Sequence, residues 1–150
     1  MLNESRLYFA YGSNLNHRQM AERCPKAKPV SVLRLDGWRL VFKRGADIVR
    51  DEGAFVLGAL YGITLEDEAA LDVHEGYPVT YTQHAVLDEE GRERFFFYKK
   101  AANTLRMPRG EYLETIRAGY RDWGLDLASL DAAMAYMAAN ARSARMEGGR

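Results

Sequence analysis

At 150 residues, 47% hydrophobic and 28% charged, the chain is sized for one domain with a respectable core and is too short for two. Its 21 Lys plus Arg balance 21 Asp plus Glu, so the formal net charge is zero and gives no long-range attraction for nucleic acid or an anionic membrane. No stretch approaches the roughly 18 to 20 apolar residues that span a bilayer. Glu4 and Arg6 stand where a signal peptide would need its apolar region, and a lone Cys24 cannot form an internal disulfide. A cytoplasmic protein is therefore expected. His17, His74 and His84 make no close-spaced ligand pair, so neither a metal nor a cofactor is expected.

The first predicted element is a strand over 6–11, RLYFAY, broken by Gly12-Ser13-Asn14. Asn14 or Asn16 then caps a short helix over 16–23, stopped by Pro25. Strands over 30–35 and 38–43 flank Asp36-Gly37, a hairpin-type dipeptide. Arg44 to Gly53 reads as a charged loop, and 54–62 as a strand buried on both faces. Thr64 caps a helix whose first turn holds Glu66, Asp67 and Glu68, favourable beside the positive end of the helix dipole; Gly76 and Pro78 end it. Strands over 79–87 and 93–99 follow, and the second, with Phe95-Phe96-Phe97-Tyr98, is apolar on both faces and so central. After a basic loop with Arg106, Pro108 and Arg109, Tyr112, Leu113, Ile116 and Tyr120 fall at helical spacing up to Gly124. Leu127, Leu130, Met134 and Met137 mark a last helix, whose stripe packs on its own sheet or, as the alternative, on a second copy in a homodimer. The domain spans 1–150, with 141–150 as a frayed tail. Strands that do not alternate regularly with helices indicate an α+β domain.

Three stretches carry candidate chemistry. In Tyr11-Gly12-Ser13-Asn14, a glycine admits unusual backbone angles and the close approach of a ligand, and successive amides can form an anion-binding concavity. The same residues also suit an ordinary strand end and helix cap. In LDVHEGYP, Glu75 falls at the C-terminal end of the Thr64 helix, with Asp72 one turn back. Both effects oppose ionisation and raise its pKa, which makes it a candidate proton carrier rather than only a solvated surface acid. Tyr8, Tyr11, Tyr77, Tyr81 and Tyr112 could converge on one pocket, each an apolar wall with a hydroxyl at its tip. Arg106 and Arg109, or Lys99 and Lys100, could bind a carboxylate, although charged loop residues are usually just solvated.

Together, YFAYGSNL, then LDVHEG about 60 residues later, then PRGEYLETIRAGYRDWGL resemble the γ-glutamylcyclotransferase-like (AIG2-like) family over roughly Leu7 to Leu125. The resemblance implies a small, mixed, β-barrel-like sheet with peripheral helices and a cavity at its mouth. It implies that Glu75 is the catalytic acid/base. It implies substrate contacts from Tyr8, Phe9, Ala10, Tyr11, Gly12, Ser13 and Tyr112, with Asn14 and Tyr81 as further candidates. The reaction so implied belongs to glutathione metabolism: the α-amine of a small γ-glutamyl amino acid or amide attacks its own γ-carbonyl and releases 5-oxoproline. No protein nucleophile or cofactor is then needed. A larger γ-glutamyl-protected product as substrate, and a non-catalytic ligand-binding module, are the alternatives. The Ala- and Met-rich last helix departs from the family's tail.

Overall fold

The structure is a computed structural model that describes residues 6–148, with side chains through Ala141. Strand β1 (Arg6–Ala10) leads through a 3-10 turn (Ser13–Leu15) into helix α1 (His17–Arg23). Two long strands follow, β2 (Lys28–Lys43) and β3 (Gly45–Ile63), and then helix α2 (Leu65–Glu75). Strands β4 (Tyr81–Leu87) and β5 (Glu93–Lys100) and helices α3 (Gly110–Trp123) and α4 (Leu127–Gly148) complete the α+β domain. The expected tail over 141–150 falls mostly outside the described side chains; its backbone is helical through Gly148.

The five strands form one mixed sheet in the order β2-β3-β1-β5-β4. Neighbours are antiparallel except β1 and β5, which run parallel with Tyr8 opposite Phe96. The sheet does not close by strand pairing among the described residues. It is barrel-like because the free half of the β2–β3 hairpin folds back over β4 and β5, and the closure is made by side chains. Trp38 packs edge-on against Phe97 and His84, with ring centroids 5.2 and 5.6 Å away. The Tyr81 hydroxyl donates to the Ala46 carbonyl at 2.9 Å.

The hairpin corrects the sequence reading. Asp36-Gly37 is not its turn: β2 runs on, and Gly37, at φ 86°, sits where one residue of β2 faces four of β3, between the pairs Asp36–Phe55 and Trp38–Arg50. The segment read as a charged loop, 44–53, is instead mostly strand, paired from Lys43–Gly45 to Trp38–Arg50. The turn is made at Arg44, which takes a left-handed φ of 69°. Its position is fixed from outside, since the Arg44 N–H donates to the Arg106 carbonyl and the Arg106 N–H to the Phe42 carbonyl.

Phe95 to Tyr98 of β5 are all buried, as expected for an interior strand, and form the core with Phe9, Phe42, Ile48, Leu71, Ile116 and Tyr120. α4 packs on β2 through Leu130, Ala133 and Met137, and the Met137 sulfur accepts the Phe42 N–H. Thr64 and Asp67 form a reciprocal capping box at the start of α2, and Gly76, at φ 69°, ends it in the left-handed region. That stop leaves Glu75 as the last helical residue, at the sheet's open mouth.

Candidate active site

Six segments meet at the mouth: the end of β1 with its turn, the hairpin tip, the end of α2, the start of β4, β5 and the start of α3. Tyr8, Tyr11, Gly12, Ser13, Asn14, Ala46, Glu75, Tyr81, Tyr98 and Tyr112 line one pocket. Its cavity volume is about 30 Å³, a narrow cleft that opens to solvent.

The turn is fixed from below. Tyr61 donates its hydroxyl to the Asn14 carbonyl at 3.0 Å, and the Trp123 indole N–H donates to the Leu15 carbonyl at 3.0 Å. Gly119 lets α3 lie directly on this turn; a Cβ there would stand 2.7 Å from the Asn16 nitrogen and the Leu15 Cβ. The helix cap falls to Asn16, whose side chain accepts the Gln19 N–H at 3.0 Å, and Asn14 is left to face the pocket. Gly12 has φ −126° and ψ −133°, and a Cβ there would sit 3.0 Å from Ala46 Cβ and 3.6 Å from the Tyr112 hydroxyl. Among the described residues, the N–H groups of Gly12, Ser13 and Asn14 have no hydrogen-bond acceptor, as the first donors of a helical turn lack one.

Glu75 turns its carboxyl into this pocket, with Oε2 3.5 Å from Asn14 Nδ2. Burial pushes its pKa up, against the opposing pull of Arg23, Lys100 and the Asn14 contact. The direction matches the sequence reading, but the cause differs. Asp72, invoked there as the repelling charge, is engaged elsewhere, accepting from the Tyr98 hydroxyl at 2.6 Å and the Gln83 amide at 2.9 Å. Burial also pushes the hydroxyls of Tyr8, Tyr11, Tyr81, Tyr98 and Tyr112 up, so at neutral pH they are uncharged. The site is therefore one proton-accepting carboxyl in a shell of neutral hydroxyls. Most of these already have partners: Tyr11 donates to the Tyr98 carbonyl, and Tyr112 accepts the Ala46 N–H at 2.9 Å, which leaves its own proton to donate.

Of the residues singled out from sequence, the structure brings together Tyr8, Tyr11, Gly12, Ser13, Asn14, Glu75, Tyr81 and Tyr112. It does not bring Phe9 and Ala10 to the pocket: both are fully buried, and the Phe9 ring packs on Phe95, 5.7 Å between centroids. Phe9 alternates to the strand face opposite Tyr8, and Ala10 carries only a buried methyl. Tyr77 is exposed outside the pocket. Lys99 binds Asp47 and the Ile48 carbonyl, Lys100 lies over the Tyr81 ring at 4.9 Å, and Arg109 is the residue before α3. Ala46 and Tyr98 line the pocket without having been singled out. Ala46 has no chemical signal of its own; Tyr98 ended an aromatic run that reads as core. Among the described residues no cluster of His, Cys, Asp or Glu could hold a metal, and no helix is long and apolar enough to cross a membrane.

The fold is an α+β domain whose open mixed sheet holds, at its mouth, a carboxyl beside a glycine-containing turn. The chain belongs to the gamma-glutamyl cyclotransferase, AIG2-like family, whose model matches residues 8–123 and so takes in both the turn and Glu75. A solved structure described as gamma-glutamyl cyclotransferase is similar at 28% identity over 88% of each chain, with a TM-score of 0.76. An uncharacterized Homo sapiens protein, loc79017, is similar at 28% identity over 88% of each chain, with a TM-score of 0.75. YkqA from Bacillus subtilis shares the fold at 24% identity and a TM-score of 0.66, over 89% of this chain and 54% of that one. Among curated protein sequences none matches.

Proposed function

We propose that this chain is a γ-glutamyl cyclotransferase that releases 5-oxoproline and a free amine from a small γ-glutamyl amino acid or amide. The observation that carries the reading is the Glu75 carboxyl lining the same small pocket as Gly12, Ser13 and Asn14. The family membership supports it.

The chemistry follows from the groups present. The substrate's α-amine, with a pKa of about 8, arrives largely protonated at neutral pH. Glu75, ionised but reluctant, takes a proton from it. The freed amine attacks the γ-carbonyl of the same molecule, a C–N bond closes the five-membered ring, and the carbonyl oxygen becomes an oxyanion. As the bond to the leaving amine breaks, Glu75 returns its proton to that amine, and the ring nitrogen's second proton follows through the emptied carboxylate, so 5-oxoproline is left neutral at nitrogen and the amine departs as an ammonium. Folding the substrate into the ring-closing conformer is the pocket's other contribution. The free N–H groups of the turn and the Tyr112 hydroxyl are the donors for the oxyanion and for the substrate's α-carboxylate; losing one oxyanion donor costs about 3 kcal/mol of barrier.

The test is 5-oxoproline release from a panel of γ-glutamyl amino acids and amides, by the purified protein and by Glu75→Gln. The expected result is turnover by the first and loss by about 10²–10⁴-fold in the second, the range for a single acid/base group. Tight binding of a γ-glutamyl compound with no 5-oxoproline from any panel member would replace this reading with the non-catalytic one.

A further inference from the structure

Asn14 is buried, with 3% of its surface exposed, and each of its polar side-chain atoms has a partner. Its Oδ1 accepts from Arg23 at 2.8 Å and from Gln19 at 3.1 Å. Its Nδ2 donates to the Tyr8 hydroxyl at 2.9 Å and faces Glu75 Oε2 at 3.5 Å. A carboxamide is nearly symmetric in shape, and either end can point at a neighbour. Arg23 removes that freedom, because a guanidinium has only donors and must meet the oxygen. We propose that Arg23, the last residue of α1, is a positioning residue for the Glu75 carboxyl, aiming the Asn14 NH₂ at it and laying a positive charge beside it. This rests on the acid/base reading of Glu75.

The charge matters because it is not consumed elsewhere: among the described residues Arg23 is in no ion pair, and its bond to Asn14 is to a neutral oxygen. The groups facing Glu75 are Arg23 from α1, Lys100 from β5, Tyr8 and Tyr11 from β1 and its turn, Tyr81 from β4 and Tyr112 from α3. The tyrosines are uncharged. The two cations and the Asn14 contact offset burial, and Lys100 shares its charge with the Tyr81 ring. On α2 itself, Asp72 is held by Tyr98 and Gln83, and His74 is exposed. Without Arg23 the Asn14 oxygen is held only by Gln19, itself an amide that can turn, so it can swing toward Glu75, where it is a partner only for the protonated acid. Both consequences run the same way, toward a carboxyl that keeps its proton to higher pH.

The experiment is a ¹³C NMR titration of the Glu75 carboxyl in the full chain, for wild type, Arg23→Met and Arg23→Lys, alongside the pH profile of kcat/KM. Arg23→Met is expected to move the Glu75 midpoint, and with it the acid limb of kcat/KM, upward by about one pH unit. Arg23→Lys, which keeps the charge, is expected to stay near wild type. A midpoint in Arg23→Met equal to wild type overturns the proposal, as does an equal upward move in Arg23→Lys. Should Arg23→Met not fold, Arg23→Gln removes the charge alone and is judged by the same midpoint. If wild type turns over no γ-glutamyl compound, the proposed function fails, while the NMR titration still decides the role of Arg23.

Discussion

Two carboxylates flank the hairpin tip, and they are treated in opposite ways. Asp47 is fully buried yet compensated: its Oδ2 takes Lys43 at 2.7 Å and Lys99 at 3.3 Å, and its Oδ1 takes the Lys100 N–H at 2.9 Å. Glu75 has a single amide contact, at 3.5 Å, and a pKa raised by burial. A buried acid that is well paired holds elements together; here Asp47 ties the hairpin tip to β5. A half-buried acid left short of partners is costly to the fold and is a candidate for proton transfer. The difference sets a structural charge apart from the proposed functional one.

The contrast is broken most directly at Glu75. Besides abolishing turnover, Glu75→Gln is expected to leave the protein at least as stable as wild type at neutral pH. The sign follows from linkage. Below about pH 4, near the value of an unperturbed glutamate, the acid is protonated in both folded and unfolded chains, and the variants should match. As pH rises, the unfolded chain ionises first and the folded one resists, so wild type loses stability until its own midpoint is passed. Thermal melts of both proteins at pH 4 and pH 8 measure this; a Gln variant less stable at pH 8 would mean that Glu75 is a structural anchor after all. Asp47→Asn should do the reverse. It leaves Lys43, 6% exposed, without its counter-charge, and removing one partner of a buried pair costs about 3–5 kcal/mol. Urea unfolding reads that loss, and a change under 1 kcal/mol would show that the cluster does not hold the tip.

Glu75 and the turn were legible because each lies in a short contiguous stretch whose chemistry is local: a glycine with small polar neighbours, and an acid at a helix end. Asp47 was not. It stands in a run rich in charge, Arg44 to Gly53, that reads as solvated loop. In the structure those charges are used across strands: Arg39 binds Asp51 at 2.6 Å and Arg50 lies 4.5 Å over the Trp38 ring. Asp36-Gly37 misled for the related reason that a positive-φ glycine serves a strand irregularity as well as a turn. Ala46 and Tyr98 enter the pocket only through the fold-back of the hairpin, a tertiary event with no signature in either residue. The cause of the Glu75 shift was likewise hidden, since burial depends on what covers the mouth.

The residue between the two acids gives a smaller and sharper prediction. Ala46 precedes Asp47 and lines the Glu75 pocket, and it is held on both sides, its N–H by Tyr112 and its carbonyl by Tyr81. Tyr112→Phe keeps the ring, 6.5 Å from Phe42, and removes only the oxygen. An orphaned buried N–H costs about 1–3 kcal/mol, so stability should fall by that order while the Asp47 cluster persists. Turnover should fall too, because the same hydroxyl offers its proton to the pocket. Loss of activity with an unchanged melt would assign Tyr112 wholly to substrate, and loss of stability with unchanged kcat/KM wholly to the hairpin.

The smallest effect tests whether Glu75 is held locally or by its helix as a whole. Thr64 caps the other end of α2, accepting the Asp67 N–H at 3.1 Å while Asp67 accepts the Thr64 N–H at 3.1 Å. Thr64→Ala removes half of that box, which typically costs about 1 kcal/mol. The far end of the helix is secured separately, by the left-handed Gly76 and by the Tyr77 N–H donating to the Asp72 carbonyl at 2.9 Å. Glu75 is therefore expected to keep its geometry, and kcat/KM should stay within about twofold of wild type while the urea midpoint drops. A parallel fall in kcat/KM under conditions where the variant is fully folded would show that fraying at Thr64 is transmitted along α2, and the acid would then owe its placement to the whole helix rather than to the cap, Asn14 and the turn.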